Sequence, residues 1–303
     1  MGKTVTMTAM RLVVLCAALL AGLALAPVAP RAHAQDIEVE GPLAGAPAVI
    51  GLRIYREMRF QIQLQGTMTL NDEFSRSILA GGQLMFHPTD WLGIGVWGGF
   101  GLASIDTDLT DQVKERGQTN EVNVLSLPRP GGFDDQIGRI QWMASPQIQF
   151  IPLRGKLGIF ESLFIDTDFY LLGGVGLVGI EERAEVTGDF FSNCRARGEL
   201  GAQIQCLEAT QSERETRMAI APTFGAGLSL YMGNWVAMTF EWRAMPFAWN
   251  TSGTDESGNS RGDFPDDQIN SDDQLSHFNH MISLGFAFYL PTEPGLSHMD
   301  EDE

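Results

Sequence analysis

One stretch of the sequence has the letters of a dinucleotide-binding loop. Gly174, Gly176 and Gly179 reproduce the spacing G-x-G-x-x-G. That chemistry requires a helix to begin at the loop, so that its N-terminal N–H groups meet the pyrophosphate. Residues 181–188, which follow, show no sustained helical pattern. We therefore interpret the glycines as small residues of a β-strand, and we expect no cofactor.

Histidine and serine are the next residues that could carry chemistry. His277 and His280 are three positions apart, which on a strand places them on opposite faces, so they do not chelate one metal together. The segment around Ser229 lacks the closing glycine of a nucleophile elbow. We expect no metal site and no enzyme. A barrel-embedded lipid-modifying enzyme stays an alternative, because it could use His and Ser without that motif.

Four polar residues have a spacing that suits an interior network. Asp168 and Tyr170 are two positions apart, as are Glu241 and Arg243, so each pair shares one face of a strand. A buried charge is costly unless it is paired. We predict that these four residues form a polar network inside a closed sheet. The alternative is a salt-bridge gate over a small pore.

Two cysteines, Cys194 and Cys206, lie in one polar segment. They are too far apart for a C-x-x-C redox motif, and no histidine neighbours them at zinc-ligand spacing. In an oxidising compartment, two such cysteines are expected to pair. We predict a disulfide.

An acidic segment runs from Asn250 to Ser276 and contains only one basic residue, Arg261. Its acidic residues are Asp255, Glu256, Asp263, Asp266, Asp267, Asp272 and Asp273. The spacing is not that of an EF-hand loop. We interpret the segment as a solvated, mobile loop. Loose binding of divalent cations is the alternative.

The first 34 residues have the three-part layout of a secretory signal peptide. Lys3 and Arg11 precede the apolar run 12–25, and Ala32-His33-Ala34 offers small residues before a cut. An uncleaved anchor is the alternative, although the run is short for a span of about 20 residues. Cleavage leaves 17 basic against 38 acidic residues, a net charge of −21. Such a charge repels nucleic acid.

Eight later segments alternate between apolar and small polar residues. In the first, Phe60, Ile62 and Leu64 alternate with glutamines. In the fourth, Ile140 is assigned to the apolar face and Gln141 to the polar face. The apolar face carries no charge in any segment, as the cost of about 2–4 kcal/mol for Lys or Arg at mid-bilayer predicts. A soluble lipocalin-like or sandwich fold is the alternative.

The connections between these segments alternate in length. Short turns are predicted at residues 87–90, 154–156 and 232–234, and long connections at 104–137, 181–217 and 250–276. The long connections join each odd-numbered segment to the next even-numbered one. The connection from the first segment to the second, around Asn71 and Asp72, is the short exception. Short periplasmic turns with longer outer loops are typical of bacterial outer-membrane barrels.

These patterns predict an all-β fold: a closed antiparallel up-and-down transmembrane β-barrel of about eight strands in the outer membrane. Residues 1–34 are assigned to the signal peptide and 35–58 to a periplasmic lead-in. Residues 59–291 are assigned to the barrel with long extracellular loops, and 292–303 to an acidic C-terminal tail.

The sequence resembles the myxobacterial-type outer-membrane β-barrel domain family over roughly Arg59 to Pro291. The resemblance rests on Leu70-Asn71-Asp72, Gly155-Lys156-Leu157, Asp168-Phe169-Tyr170-Leu171 and Phe288-Tyr289-Leu290-Pro291. It implies a barrel in the outer membrane, with no established chemistry.

The last segment is also similar to the assembly signal that the barrel-assembly machinery reads. Ser283, Gly285, Phe288 and Leu290 occupy the places of its polar, glycine and hydrophobic residues. Many such barrels stop at a terminal aromatic residue, whereas this chain continues into the acidic residues 300–303.

The sequence therefore predicts a non-enzymatic surface barrel, structural or binding through its loops. The expected partners are outer-membrane lipid, the barrel-assembly machinery and, at the acidic loops, divalent cations; nucleic acid is excluded. A small-solute channel is the first alternative and an embedded lipid-modifying enzyme the second.

Overall fold

The computed structural model describes residues 56–70, 72–117, 125–128, 131–159, 163–210, 212–258 and 264–293. The predicted signal peptide lies outside these residues, as do most of the predicted lead-in and most of the acidic tail. Asn71, Arg261 and Asp263 also lie outside them.

Eight antiparallel strands pair in sequence order, and the last pairs with the first, so the sheet closes. The strands are β1 (Arg59–Thr69), β2 (Ser75–Thr89), β3 (Leu92–Asp106), β4 (Arg139–Ile159), β5 (Leu163–Arg183), β6 (Arg214–Tyr231), β7 (Val236–Trp249) and β8 (Leu275–Leu290). The predicted eight-stranded, up-and-down, closed antiparallel barrel is confirmed.

Alternation along the strands places one set of side chains outside, where they are mostly apolar, and the other set inside. In β1 the side chains of Phe60, Ile62 and Leu64 are exposed, whereas those of Gln61 and Gln63 are buried. Successive side chains of a strand point to opposite faces, so this one strand shows both surfaces of the sheet. The distribution is the reverse of that in a water-soluble barrel.

The assignment of faces in the fourth segment is wrong at its start. Ile140 is buried inside and Gln141 is exposed outside. The pairing of β4 with β5 shifts register between Ile140 and Trp142. An extra residue in one strand exchanges the two faces on one side of the shift. From Trp142 onward, the predicted assignment agrees with the structure.

The turn predicted at Arg154-Gly155-Lys156 is also wrong. These residues belong to β4, where Arg154 pairs with Asp168 and Lys156 pairs with Asp166 of β5. The strands continue to Ile159 and resume at Leu163, so the connection is residues 160–162. Gly155 has open space where a Cβ would be, but it lies within β4 rather than in a turn.

The two ends of the barrel differ as predicted. At one end, here called the short-turn end, the connections are 90–91, 160–162 and 232–235. At the other, the long-loop end, connections 107–138, 184–213 and 250–274 join the strands, together with the short connection 70–74.

The long connections contain short helices that the sequence analysis did not predict. They are α1 (Asp108–Arg116), α2 (Phe133–Gln136), α3 (Gly188–Arg195), α4 (Leu200–Ala209) and the 3₁₀ helix Ser271–Asp273. The side chains of Thr107 and Thr187 cap the N-termini of α1 and α3 by accepting hydrogen bonds from the backbone N–H groups of Thr110 and Phe190. Among the described residues, no helix has both the length and the apolar character needed to cross a membrane.

The barrel interior changes character along its axis. Near the long-loop end it is apolar, with Leu79, Trp97, Ile180, Met245 and Trp249 in one buried cluster. The middle and the short-turn end are dominated by polar and aromatic side chains. The polar groups of the candidate site therefore lie inside the barrel, in its middle and at its short-turn end.

Candidate functional site

The centre of the interior is an ion pair between Arg243 and Glu241. Both side chains are fully buried, and Nη2 of Arg243 lies 2.7 Å from Oε1 of Glu241. Tyr170 donates its hydroxyl to Oε2 of Glu241 at 3.1 Å, and Nη1 of Arg243 donates to Gln147 at 2.8 Å. The guanidinium also lies 4.3 Å from the centroid of the Trp97 ring. Each charged side chain therefore has its opposite charge and at least one further polar or aromatic partner.

A chain of glutamines extends from this ion pair to β4 and from there through β2 to β1. Gln147 donates to Oε1 of Gln83 at 2.8 Å, and Gln83 donates to Oε1 of Gln63 at 2.7 Å. Gln61 donates to the same oxygen at 2.8 Å, and its own Oε1 lies 2.9 Å from Nε2 of His87. These bonds link β7 to β1 and β2, so side chains fill the interior, as expected for eight strands.

Three of the four residues predicted to form a network are brought together: Tyr170, Glu241 and Arg243. The fourth, Asp168, is also buried inside the barrel, where it pairs with Arg56 and accepts the hydroxyl of Tyr231 rather than contacting these three. Asp168 and Tyr170 lie on the same inner face of β5. The partners of Asp168 lie at the short-turn end.

The short-turn end holds a second cluster around Asp168. Its carboxylate pairs with Arg56 at 3.0 Å and with Arg154 at 4.0 Å, and accepts the hydroxyl of Tyr231 at 2.9 Å. Arg56 precedes the first strand and is fully buried. No sequence pattern indicated it, because it lies outside the alternating segments.

The long-loop end is closed by residues 250–255, here called the mouth plug. Its backbone carbonyls accept hydrogen bonds from Gln136, Gly138 and Arg183 at 2.9 to 3.1 Å. Gly253 has φ +65°, and a Cβ there would lie 2.1 Å from the carbonyl oxygen of Gln136. Only glycine suits both that conformation and that approach.

Two acidic residues of this segment are buried structural groups. Asp255 accepts the backbone N–H groups of Asp266 and Asp267 at 3.1 Å each. Asp273 accepts those of Glu256 at 2.9 Å and of Asn270 at 2.8 Å. The interpretation of the segment as solvated is therefore wrong for Asp255 and Asp273. A carboxylate can replace a regular ladder by bonding several amides.

Burial is the main reason that the pKa of Asp255 is raised, to about 7. The neighbouring carboxylates of Asp273 and Asp266 raise it further. In the described part of the chain, no group of three or more His, Cys, Asp or Glu side chains is placed to hold a metal ion.

The disulfide between Cys194 and Cys206 is present, with its Cα atoms 5.6 Å apart. It joins α3 to α4 and is buried against Leu125, Val186 and Ile269. These apolar residues come from all three long connections. The described residues of connections 107–138, 184–213 and 250–274 therefore pack on one another, and we call them the lid.

A cavity of about 320 Å³ lies where the lid meets the rim of β5 and β6. Its charged lining residues are Glu182, Arg183, Glu185, Glu215 and Arg217. Arg217 pairs with Glu182 and also donates to the carbonyl of Ala248. The sequence analysis did not single out these residues. They are far apart in the chain, on either side of connection 184–213, and the pairing of β5 with β6 brings them together.

The four residues of the predicted assembly signal alternate across β8. Ser283 and Gly285 face the interior, and Phe288 and Leu290 lie on the outer face. A Cβ at Gly285 would lie 2.3 Å from the carbonyl oxygen of Leu64, so the inner face is tightly packed there. Their role in assembly stays a prediction.

The remaining motifs hold no cofactor geometry. Gly174 and Gly179 lie inside strand β5 rather than before a helix. A Cβ at Gly174 would lie 2.2 Å from the carbonyl oxygen of Pro146. His280 stacks on Trp242 with ring centroids 5.7 Å apart.

No family model matches the chain, and no curated protein matches it. Among solved structures, the chain is similar to the N-terminal β-barrel domain of OprF from Pseudomonas aeruginosa, with 11% identity over 77% of this chain and 98% of that one, at a TM-score of 0.38. It is similar to Ail, the attachment invasion locus protein of Yersinia pestis, with 10% identity over 77% and 99%, at 0.32. It is also similar to OprG from Pseudomonas aeruginosa, with 11% identity over 79% and 99%, at 0.35. Similarities at this level assign no function to this chain.

Proposed function

We propose that this protein is a non-enzymatic β-barrel of the outer membrane that binds ligands through its lid at the cell surface. One observation carries the proposal: a closed barrel presents an apolar outer surface, while buried ion pairs and glutamines fill the middle of its interior. In water, an exposed apolar surface of this extent would cause association. In a bilayer it is the favourable arrangement, and closure leaves no strand edge unpaired in lipid.

The outer surface supports this placement strand by strand. On β6, every outward residue from Met218 to Leu230 is uncharged, and Ile220 is 67% exposed. On β8, Leu284 is 58% exposed and Phe286 is also exposed. A single Lys or Arg on such a surface costs about 2–4 kcal/mol at mid-bilayer, which accounts for their absence.

Aromatic residues mark one boundary of the apolar surface. Trp91 and Trp235 are exposed in two of the turns at the short-turn end. They pack against Phe150 and Phe288 with ring centroids 6.1 Å apart in each pair. Tryptophan is enriched where lipid meets water, because its ring is apolar and its N–H is polar.

The unequal ends of the barrel give its orientation. Bacterial barrels have short periplasmic turns and longer outer loops. We therefore place the lid outside the cell and the short-turn end, with Arg56, in the periplasm. The disulfide in the lid is compatible with this orientation but does not decide it, since the periplasm and the cell surface are both oxidising.

Conduction is disfavoured by three closures along the axis. The mouth plug covers the long-loop end, the pair of Arg243 and Glu241 with its glutamines crosses the middle, and Arg56 occupies the short-turn end. Eight strands leave room for side chains rather than for a channel. This packing favours a binding role over a small-solute channel.

The lid offers a concave surface on which a ligand could rest. The cavity at the rim of β5 and β6 has about 320 Å³, at the lower end of the range of ligand pockets. It presents carboxylates and guanidinium groups together, which suits a small polar or zwitterionic ligand. A barrel-embedded enzyme has no observation in its favour among the described residues, since no pairing of a nucleophile with a base lines this cavity.

The test is fractionation of cells that express the full chain, followed by protease treatment of intact cells. We expect the protein in the outer-membrane fraction, with heat-modifiable migration and with cleavage confined to the lid. In planar bilayers we expect no stepwise conductance. Recovery as a soluble periplasmic protein contradicts the membrane placement, and steady single-channel steps contradict the closed interior.

A further inference from the structure

Arg56 enters the barrel from outside the sheet. It precedes β1, yet its side chain is fully buried inside the short-turn end. Met58, between Arg56 and the strand, has φ +57°, a left-handed conformation that a side chain of this kind rarely adopts. The chain is thus folded back on itself, and Arg59 donates its backbone N–H to the carbonyl of Arg56.

The site that receives the guanidinium has the features of a cation-binding pocket. Nε of Arg56 lies 3.0 Å from the carboxylate of Asp168 and donates to the hydroxyl of Tyr231. The guanidinium carbon lies 5.5 Å from the ring centre of Tyr231 and 5.2 Å from that of Tyr289. A carboxylate and two aromatic faces are the partners that a planar guanidinium prefers.

Arg56 does not use this pocket fully. Among the described residues, neither of its two Nη nitrogens has a hydrogen-bond partner, although both are buried. Unmade bonds of a buried charged donor reduce the net stability of the contact. The strained turn at Met58 reduces it again. Arg56 is therefore held less tightly than the pocket allows.

Arg59, three residues later, differs from Arg56 because its guanidinium nitrogens make hydrogen bonds. Its guanidinium donates to the backbone carbonyls of Pro291 and Asn234 at 2.9 Å each. Arg59 also begins β1 and pairs with His87 in the sheet. Arg59 is part of the sheet, whereas Arg56 lies outside it and is attached through its side-chain contacts, the bond of its backbone N–H to Asp90 at 2.7 Å and the bond from Arg59 to its carbonyl.

We propose that the short-turn end of the barrel is a binding site for a guanidinium group, filled by the chain's own Arg56 and able to exchange it for an external guanidinium or arginine side chain. A free guanidinium ion carries no strained turn and can orient all its N–H groups. The site is thus a receptor for arginine-like cations that the protein occupies with its own residue.

The test measures access to the interior with a reporter thiol at Ser229. Ser229 is fully buried and pairs with Asp168 across β5 and β6, so it lies beside the proposed site. The full exported chain carrying Ser229→Cys is purified in micelles, and its reaction with methyl methanethiosulfonate is followed by mass spectrometry. Cys194 and Cys206 are joined, and Cys16 is removed with the predicted signal peptide, so the introduced thiol is the reactive one.

Adding Arg56→Ala should accelerate labelling at least about tenfold, since a buried, hydrogen-bonded charge that excludes solvent is removed. Millimolar guanidinium chloride should restore the slow rate, and equal potassium chloride should not. Adding Asp168→Asn to Arg56→Ala should abolish that protection, because the receiving carboxylate is lost. The matched control is Lys156→Ala, which removes a cation paired with Asp166 across β4 and β5 and should leave the rate unchanged.

Heat-modifiable migration reports whether each variant is folded. If Arg56→Ala does not fold, Arg56→Lys keeps the charge without the planar fork, and guanidinium should slow its labelling. The proposal is overturned by labelling of a folded Arg56→Ala variant at the parent rate, or by labelling of that variant at equal rates in guanidinium chloride and in potassium chloride. Protection that persists after Asp168→Asn overturns it as well. None of these readouts depends on the cell-surface role of the lid, so either proposal can fail alone.

Discussion

At the scale of single residues, the ion pair of Arg243 and Glu241 is the group most exposed to mutation. Both side chains are fully buried, so the loss of one charge leaves the other without compensation. We expect Glu241→Gln to lower the free energy of unfolding by about 3–5 kcal/mol, as for other broken buried pairs. Urea unfolding in micelles measures the change.

The control for that prediction removes both charges. Glu241→Gln with Arg243→Met leaves no buried unpaired charge, so much of the lost stability should return. If the double variant is no more stable than Glu241→Gln alone, the ion pair is not what holds this layer together.

A second residue-scale prediction concerns the outer face. Phe240 is half exposed on β7 and faces away from the interior. Phe240→Arg should cost about 2–4 kcal/mol in lipid vesicles, the value for a cation at mid-bilayer. Phe240→Leu, which keeps the residue apolar, should cost much less. Equal costs for the two variants would place Phe240 outside the bilayer.

What the sequence could predict at this scale was which residues face inward. Period-two alternation assigned Tyr170, Glu241 and Arg243 to the interior, and all three meet there. Alternation carries no information on depth, which is why Asp168 was grouped with them. It also carries none on Arg56, whose position depends on the turn at Met58.

At the scale of elements, the disulfide should stabilise the lid and leave the barrel unaffected. It closes a loop of 12 residues between α3 and α4. The chain-entropy model gives about 3 kcal/mol for a loop of this size. Arg195 and Arg197 are already exposed, and reduction should loosen the chain around them enough for trypsin to cut there, while heat-modifiable migration of the barrel persists. A variant with both cysteines changed to serine should be cut equally with and without reductant.

The acidic part of the lid should depend on pH. Burial first, then the carboxylates of Asp273 and Asp266, raise the pKa of Asp255 from 3.8 to about 7. Because the folded lid holds this proton more tightly than an opened lid does, the contribution is present at low pH and is lost as pH rises through 7. The raised pKa of Glu256, also mainly from burial, acts in the same direction.

Hydrogen exchange, corrected for the intrinsic rate at each pH, measures this effect at the amides of Asp266 and Asp267. We expect greater protection at pH 5.5 than at pH 8. Asp255→Asn should flatten the difference, because the amide does not titrate. Greater protection at pH 8 than at pH 5.5 in the parent protein would show that the charged carboxylate is the stabilising form.

Elements were predictable where a pattern extends over a whole strand. The eight strands and the unequal ends follow from alternation and from the spacing of polar segments. The register shift at Ile140 was not predictable, since a bulge depends on the partner strand. The helices α3 and α4 were missed because they are short and are stabilised by a cap, a disulfide and tertiary packing rather than by a long apolar stripe.

At the scale of the whole molecule, the barrel is closed at three levels. The lid and the mouth plug cover the long-loop end, the glutamine chain crosses the middle, and Arg56 fills the short-turn end. In the proposed function, ligands are bound by the outside of the lid and by the rim cavity. The outer wall then serves to hold that surface in the membrane.

The central claim is that the outer wall faces lipid, and a nitroxide label at Leu284 tests it most directly. Leu284 lies within β8 and is 58% exposed. In phospholipid vesicles, the label on Leu284→Cys should collide frequently with oxygen, which dissolves in lipid, and rarely with a water-soluble nickel complex. A label on Ser192→Cys, which is exposed on α3 of the lid, should show the reverse preference. Equal access of the nickel complex to both positions would contradict the claim that this barrel spans a membrane.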